Sequence, residues 1–473
     1  MGLIEDLEYR GLVHQVTSPD LARLLNAPAV PTGQGRGGGA AGEGLVCYAG
    51  FDPTAPSLHL GNLLPILLLR RLQLGSHHVI AVAGGGTGLI GDPSGKSSER
   101  PLLDEEPYRE NLRRITGQLE ALIDFSSGSA EVVDNASWLR SLSLIDFLRD
   151  TGKHFTVAQM VAKESVRSRM DRPEQGISFT EFSYMLLQAY DYLNLYDTRG
   201  CRLQVGASDQ WGNITLGVEL IGKLRGVAAY GLTTPLLLRA DGVKLGKTES
   251  GTVWLDPQLT SPYQLYQYLV RVDDSEVVPY LKMLTFLDHD AIEGLGEAVL
   301  ERPDRREAQR ALAREVCAIV HGEDEAARAE RTSEAIYSEN VAELAENDLL
   351  DACSDAPVTK LARSAVGLGD APPSGCVGGE GNASVGSPGT GAAGATVRGG
   401  SIHAGAPVVD LLVTTGLCES KARARTTLAQ GGVYINNRRV VDETRTLTGD
   451  DLLFGRYALL RRGKREYHLI KVV

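Results

Sequence analysis

The stretch that most restricts the fold is an apolar run, a run of helical period and a second apolar run in direct succession. Residues 45–51 (LVCYAGF) and 78–83 (HVIAVA) are short and almost wholly apolar, as strands buried on both faces of a parallel sheet are. Between them SLHLGNLLPILLLRRLQ, residues 57–73, carries leucine and isoleucine on a helical period. Strand, helix and strand in that order make a βαβ unit, because parallel neighbours need a crossover that returns the chain to the same end of the sheet. Further strands are expected at 131–134 and 202–206, with helices near 103–123, 141–150, 157–168, 179–193 and 213–224. Together they predict an α/β fold, a Rossmann-like doubly wound parallel sheet, whose ligands sit at the carboxyl ends of the strands. Residues 1–26 read as helical, with a second helix opening after Ser18-Pro19-Asp20.

Two glycine-rich tracts punctuate the 473 residues. Residues 27–44 hold 7 glycines and residues 367–406 hold 13, neither tract with an aromatic. Such composition buries too little apolar surface to offset the entropy of ordering, so an insertion and a flexible linker are expected. The chain then divides into N-terminal helices with their insertion (1–44), the sheet domain (45–255), an all-helical domain (256–366), the linker (367–406) and a small α+β module (407–473). The net charge of −12 conceals a segregation: residues 407–473 carry 12 Lys+Arg against 7 Asp+Glu, a net of +5 beside −17 in the rest. A basic module on a glycine-rich tether suits a polyanionic partner. No apolar run approaches the roughly 18–20 residues that span a bilayer, and the N-terminus lacks a signal peptide's basic and apolar regions. Six scattered cysteines without a CxxC pair predict a reducing, cytoplasmic setting and no structural metal.

Several motifs compete at the carboxyl ends of these strands. Gly86-Thr87-Gly88-Leu89-Ile90-Gly91 has the form GxGxxG, but Asp92-Pro93-Ser94-Gly95 follows as a turn where a dinucleotide fingerprint needs a helix. Gly91 to Ser97 is one residue short of a phosphate-binding GxxxxGK[ST] loop. What remains is a glycine-rich loop with Asp92, Lys96 and Arg100, suited to a zwitterion and a polyphosphate. In His59-Leu60-Gly61-Asn62, His59 and Asn62 stand three apart on the first turns of a helix and are expected to share one face, near a helix start where unpaired N–H groups favour phosphate. Lys244-Leu-Gly-Lys247-Thr248 sets two lysines three apart in a glycine-containing loop, able to fold over a triphosphate. Tyr184, Gln188 and Asp191 form a polar stripe on one helix face and need partners.

His59 to Asn62 resembles the HIGH signature of class I aminoacyl-tRNA synthetases, and Lys244 to Thr248 resembles their KMSKS signature. With Ser178 to Asp191 and Gln204 to Ile214, the chain resembles the bacterial tyrosyl-tRNA synthetase family over nearly its whole length apart from the glycine-rich tracts. The resemblance implies that Tyr48 and Asp191 bind the phenolic hydroxyl of L-tyrosine, and that Tyr184, Gln188 and Asp92 bind its ammonium. It places Gln210, Asp209 and Gly50 at the aminoacyl phosphate and ribose, with Gln210 also touching tyrosine and with Asp52 and Gly61 in the ATP site. Thr54, His59, Lys96, Arg100, Lys244, Lys247 and Thr248 would act on the β and γ phosphates, with Asn62 a further member of the catalytic set. Residues 407–473 resemble the family's small RNA-binding domain, with Lys421, Arg423, Arg425, Arg438 and Arg439 as its basic contacts. The implied ligands are magnesium-bound ATP, L-tyrosine and tRNA(Tyr), and the implied assembly is a homodimer.

The implied reaction is attack of the tyrosine carboxylate on the α-phosphorus of ATP, followed by transfer to the tRNA 3′ end. A carboxylate is already ionised at neutral pH, so no general base is required. Three positions depart from the family pattern: Ala49 replaces a thiol near the ribose, Pro65 sits inside the HLGN helix where a kink is expected, and Leu245, Gly246 and Thr248 replace consensus residues in the second signature. Two alternatives stand beside this reading, a tryptophan ligase, against which Tyr48 and the Tyr184 face argue, and an RNA-binding protein with a vestigial catalytic half.

Overall fold

The computed structural model describes residues 2–27, 44–94, 104–171, 176–248, 251–368, 405–463 and 466–473, without the side chains of Lys247 and Thr248. They form two compact units, 1–326 and 327–473. The first contains β1 (Gln15–Val16), β2 (Val46–Phe51), β3 (His78–Ala83), β4 (Ala130–Asp134), β5 (Leu203–Ala207) and β6 (Tyr230–Thr234), in the order β1-β6-β5-β2-β3-β4. All neighbours are parallel except β1, which runs antiparallel to β6. The chain winds outward from β2 to β4 in one direction and from β5 to β6 in the other, so the order reverses between β2 and β5. A crevice opens outside their carboxyl ends at such a switch point.

Both faces of the sheet are covered. Five of the six residues of β3 are buried. The crossover helix Leu60–Leu74 buries Leu60, Leu63, Leu64, Ile66, Leu67, Leu68, Leu69 and Leu72, each contributing about 1.5–3 kcal/mol of transfer free energy. It runs unbroken through Pro65. On the core side the helices Phe179–Arg199 and Trp211–Arg225 pack Leu186, Ala189, Tyr192, Leu193, Leu216 and Leu220 against Ile80 and Val82. A two-residue antiparallel pair, β7 (Lys247–Thr248) with β8 (Gly251–Thr252), and the helices Pro262–Val270, Asp274–Leu284, His289–Glu301 and Glu307–His321 complete the first unit.

Three local expectations are corrected. Residues 1–26 are not wholly helical: between the helices Leu3–Tyr9 and Asp20–Leu25, Gln15 and Val16 pair with Thr233 and Leu232 as an edge strand. Two residues carry no period, and their partner lies far along the chain. The helix expected over 157–168 is two, Val157–Val161 and Glu164–Met170, parted at Lys163, which is extended and donates through its ammonium to Thr215 Oγ1 at 2.9 Å. The third correction concerns 256–366, which is not helical to its end.

There, β9 (Val358–Leu361) pairs parallel with β15 (Glu466–Val472). The second unit also contains a two-residue pair, β10 (Ala406–Pro407) with β13 (Thr446–Leu447), and β11 (Val433–Ile435), β12 (Arg438–Val440) and β14 (Tyr457–Arg462). Its main sheet is ordered β12-β11-β14-β15-β9. Most of the tract 367–406 lies outside the described residues, but its ends meet: a Cβ on Gly367 would stand 3.9 Å from the Gly405 nitrogen. The tract is therefore an excursion from within one unit, and the tether expected from composition is corrected. The first tract lies outside the described residues from 28 to 43, and its neck is likewise tied. His77, 1% exposed, accepts from the Leu45 N–H through Nδ1 at 3.0 Å, and its Nε2 lies 3.2 Å from the Leu25 carbonyl. Among the described residues no helix is long and apolar enough to cross a membrane.

Candidate active site

A cavity of about 390 Å³ opens at the β2/β5 switch point. Its lining brings together Tyr48, Gly50, Asp52, Thr54, His59, Gly61, Asn62, Asp92, Tyr184, Gln188, Asp191, Asp209, Gln210 and Lys244, which come from segments spread over about two hundred residues of chain. Strand alternation points Tyr48 inward from β2, beside Gln204 of β5 in direct register.

Its blind end is buried. Asp191 is 3% exposed and accepts from Asn135 Nδ2 at 2.8 Å and Trp138 Nε1 at 2.7 Å. Burial pushes its carboxyl up to about 8, against those two hydrogen bonds and with help from Asp52 and Asp134. Tyr48 is 2% exposed, and its hydroxyl has no hydrogen-bond partner among the described residues. Burial, then the Asp191 charge, push its phenol well up, so it stays a donor. A buried donor without an acceptor costs about 1–3 kcal/mol, a cost that a ligand with an oxygen at this point relieves. The Gln204 Oε1 atom is likewise buried and unpartnered.

Further out the polar groups are ordered by one another. The Tyr184 hydroxyl donates to Asp52 Oδ2 at 2.8 Å, and Thr87 donates to Asp52 Oδ1 at 2.8 Å. A hydroxyl whose proton is committed presents only lone pairs to the cavity. Gln188 Nε2 donates to Gln210 Oε1 at 3.2 Å, and Gln210 Nε2 donates to Asp92 Oδ2 at 2.6 Å. Acceptors therefore converge in the middle of the cavity, an arrangement that suits a cationic group.

At the mouth, His59 is the extended N-cap of the helix Leu60–Leu74, and its N–H donates to Asn62 Oδ1 at 3.0 Å. The expectation that His59 and Asn62 share a helical face is corrected to a capping arrangement. A Cβ on Gly61 would lie 2.9 Å from His59 Cε1, so the imidazole packs over that glycine. Backbone pairing joins this turn to the second signature: Leu60 N–H donates to the Val253 carbonyl at 2.9 Å, and Val253 N–H to the Gly246 carbonyl at 2.8 Å. Gly246 has φ +82° and lies against Leu60, a conformation open to glycine and strained for other residues. Lys244 Nζ stands 3.4 Å from Asp209 Oδ2. Thr54 is exposed and Gly50 faces open space. Lys96 and Arg100 lie outside the described residues, and Lys247 and Thr248 are described only as the backbone of a two-residue strand.

The GxGxxG segment forms a single 3-10 turn over Thr87–Leu89 and opens no α-helix among the described residues. Its neighbour in space, Asn135, was not singled out by sequence, nor were Thr87, Trp138, Gln204 and Asn213. A local signal exists for one of them: Asp134-Asn135 closes a strand at its carboxyl end, where polar turn residues face the crevice. In the second unit Arg439 donates to the Gly431 and Gln430 carbonyls, Lys421 pairs with Asp410 at 2.7 Å, Arg425 stands 3.8 Å from Glu443, and Arg423 and Arg438 are exposed.

A switch-point crevice bearing an HLGN turn clamped to a lysine-containing loop defines a nucleotide-activating enzyme of the class I synthetase type. The model of the class I tRNA synthetases of the tryptophan and tyrosine group matches residues 41–338, and that of the SYY-like C-terminal domain of tyrosine–tRNA ligases matches 399–470. The chain is 46% identical to the tyrosine–tRNA ligase of Roseiflexus castenholzii over 100% of its own length and 99% of the relative's, and 45% identical to that of Bacillus caldotenax over 100% of both. A truncated mitochondrial tyrosyl-tRNA synthetase from Aspergillus nidulans superposes with a TM-score of 0.61 at 32% identity, covering 70% of this chain and 93% of that one. The chain belongs to the tyrosine–tRNA ligase family.

Proposed function

We propose that this cavity joins L-tyrosine to magnesium-bound ATP as tyrosyl-adenylate, releasing pyrophosphate, and then passes the tyrosyl group to the 3′-terminal ribose of tRNA(Tyr). The observation that carries the reading is the blind end, where an unpartnered phenol donor and a buried carboxylate line one small space. Tyrosine enters phenol first: Tyr48 donates to its hydroxyl oxygen and Asp191 accepts its proton. Its ammonium meets Asp92, Gln188 and the lone pairs of Tyr184, with Asp52 holding Tyr184 rather than ATP. The carboxylate then attacks the α-phosphorus, and the bond to the bridging oxygen breaks as pyrophosphate takes the electron pair. Thr54, His59, Lys96, Arg100, Lys244, Lys247 and Thr248 balance the charge that develops there. Gly50, Gly61, Asp209 and Gln210 border the nucleotide and the aminoacyl phosphate, while Asn62 shapes the HLGN turn. In the second step a ribose hydroxyl attacks the adenylate carbonyl and AMP leaves.

Amino-acid-dependent pyrophosphate exchange tests this reading. Tyrosine alone among the twenty amino acids is expected to drive it; exchange driven by tryptophan overturns it. The basic module carries the tRNA step through Lys421, Arg423, Arg425, Arg438 and Arg439, each phosphate contact adding salt-dependent affinity. The protein acts in the cytoplasm as a homodimer. Support for pairing comes from the helix Leu144–Asp150, which buries none of its residues and leaves Leu144 and Ile145 about 70% exposed. Sedimentation of Ile145→Glu, expected to run as a monomer, checks it.

A further inference from the structure

Asn213 stands on the first turn of the helix Trp211–Arg225, 2% exposed, and does not line the cavity. Its side-chain nitrogen lies 3.0 Å from Gln188 Oε1 and 3.4 Å from each of Gln210 Oε1, Asp92 Oδ1 and Ser94 Oγ. All four neighbours are acceptors, and three belong to the polar arc at mid-cavity. We propose that Asn213 is a positioning residue that anchors this arc, holding Gln188, Gln210 and Asp92 in the arrangement that meets a cationic substrate group.

The direction of each bond makes the case. With Asn213 donating to Gln188 Oε1, the Gln188 amide can turn only its nitrogen to Gln210 Oε1, and Gln210 in turn can turn only its nitrogen to Asp92 Oδ2. Asn213 at one end and the acceptor-only Asp92 carboxylate at the other therefore hold the row between them. Without Asn213 the row is anchored at Asp92 alone, Gln188 Oε1 loses its donor, and the Gln188 side chain can turn away from the arc. A displaced Gln188 leaves a cationic group with one acceptor fewer. Asn213 itself touches no substrate atom, so its influence reaches the ligand only through Gln188, Gln210 and Asp92.

The inference rests on the reading that this arc takes the ammonium of tyrosine, and one pair of ligands separates the two. In the full-length wild-type protein, L-tyrosine is expected to bind at least about 100-fold more tightly than 3-(4-hydroxyphenyl)propionate, which lacks the ammonium. Equal binding of the two sinks the ammonium reading and the inference with it. In Asn213→Ala, tyrosine binding measured by calorimetry is expected to weaken about tenfold, with the propionate within about twofold of wild type. The KM for tyrosine in pyrophosphate exchange rises alongside, with kcat little changed. Equal weakening of both ligands shows a merely structural role and overturns the proposal while leaving the ammonium reading intact. Should Asn213→Ala fail to fold, Asn213→Ser, which keeps one hydroxyl donor, carries the same comparison with a smaller loss.

Discussion

At the blind end of the cavity, Asp191, Asn135 and Trp138 stand on or beside strands and long helices, are buried or partly so, and Asp191 accepts side-chain hydrogen bonds from the other two. At the mouth, Thr54 is exposed and Lys244 half-buried, and the HLGN turn and the second signature are joined by backbone bonds around a glycine. The contrast follows from the two tasks. Choosing a side chain requires groups that do not relax when the wrong ligand enters, and burial among rigid elements supplies that. Charge that moves as pyrophosphate leaves is met by cations that arrive with the substrate, which a glycine-hinged loop permits.

The largest effect is expected where desolvation is greatest. Asp191→Asn should lower kcat/KM for tyrosine in pyrophosphate exchange by about a thousandfold, since it removes an acceptor oxygen and sets an N–H against the Asn135 or Trp138 donor. The same substitution has a signature in stability. The carboxyl is raised from the ordinary value near 4 to about 8 in the folded protein, so its contribution is fullest below pH 4 and is lost as pH rises toward 8. The unfolding free energy of Asp191→Asn should therefore gain on wild type between about pH 4 and 8. A difference flat with pH would show that the blind end is not dry.

Lys247→Ala probes the mouth. Adenylate formation should slow about a hundredfold while tyrosine affinity stays within about twofold, because a group that acts on the leaving pyrophosphate adds nothing to the ground state. Equal losses in both would erase the distinction between the two ends. Tyr48→Phe sharpens it: the KM for tyrosine should rise about tenfold, while the substrate-free protein, relieved of a buried unpartnered donor, holds its stability or gains about 1 kcal/mol. A loss of stability would mean that the hydroxyl is satisfied without substrate.

The smallest effects belong to the glycine-rich tracts. Removing residues 369–404 should leave tRNA charging within about twofold of wild type, because the two ends already meet and closing a loop costs little. A marked loss of charging would restore the tether. For the first tract, neutral His77 holds the neck and burial lowers its pKa. The folded state thus binds fewer protons than the unfolded, and stability is lost as pH falls below the ordinary value near 6.5. His77→Gln should shrink that acid limb in thermal melts.

Much of the site was legible without coordinates. The signatures around His59 and Lys244, the Tyr184–Gln188–Asp191 face and Tyr48 on a buried strand are local patterns, and all line one cavity. Asn135, Trp138 and Asn213 escaped because an amide or indole in a polar loop or first helical turn looks alike whether it faces water or a buried carboxylate. Likewise the strand 358–361 hid at the end of a helical stretch, since its four residues owe their conformation to a partner over a hundred residues away.

The sequence by itself determined the doubly wound sheet, through apolar runs whose period and length leave one economical burial, and it determined the family, through motifs in a set order. Only the tertiary structure decided that Asp52 serves Tyr184, that Asn62 is a cap, that Asn213 heads a directed row of amides, and that both glycine-rich tracts begin and end at one place. The division has a physical origin. Periodicity and propensity act between near neighbours in the chain, whereas the direction of a hydrogen bond and the dryness of a carboxylate depend on groups that meet only after the sheet has closed around them.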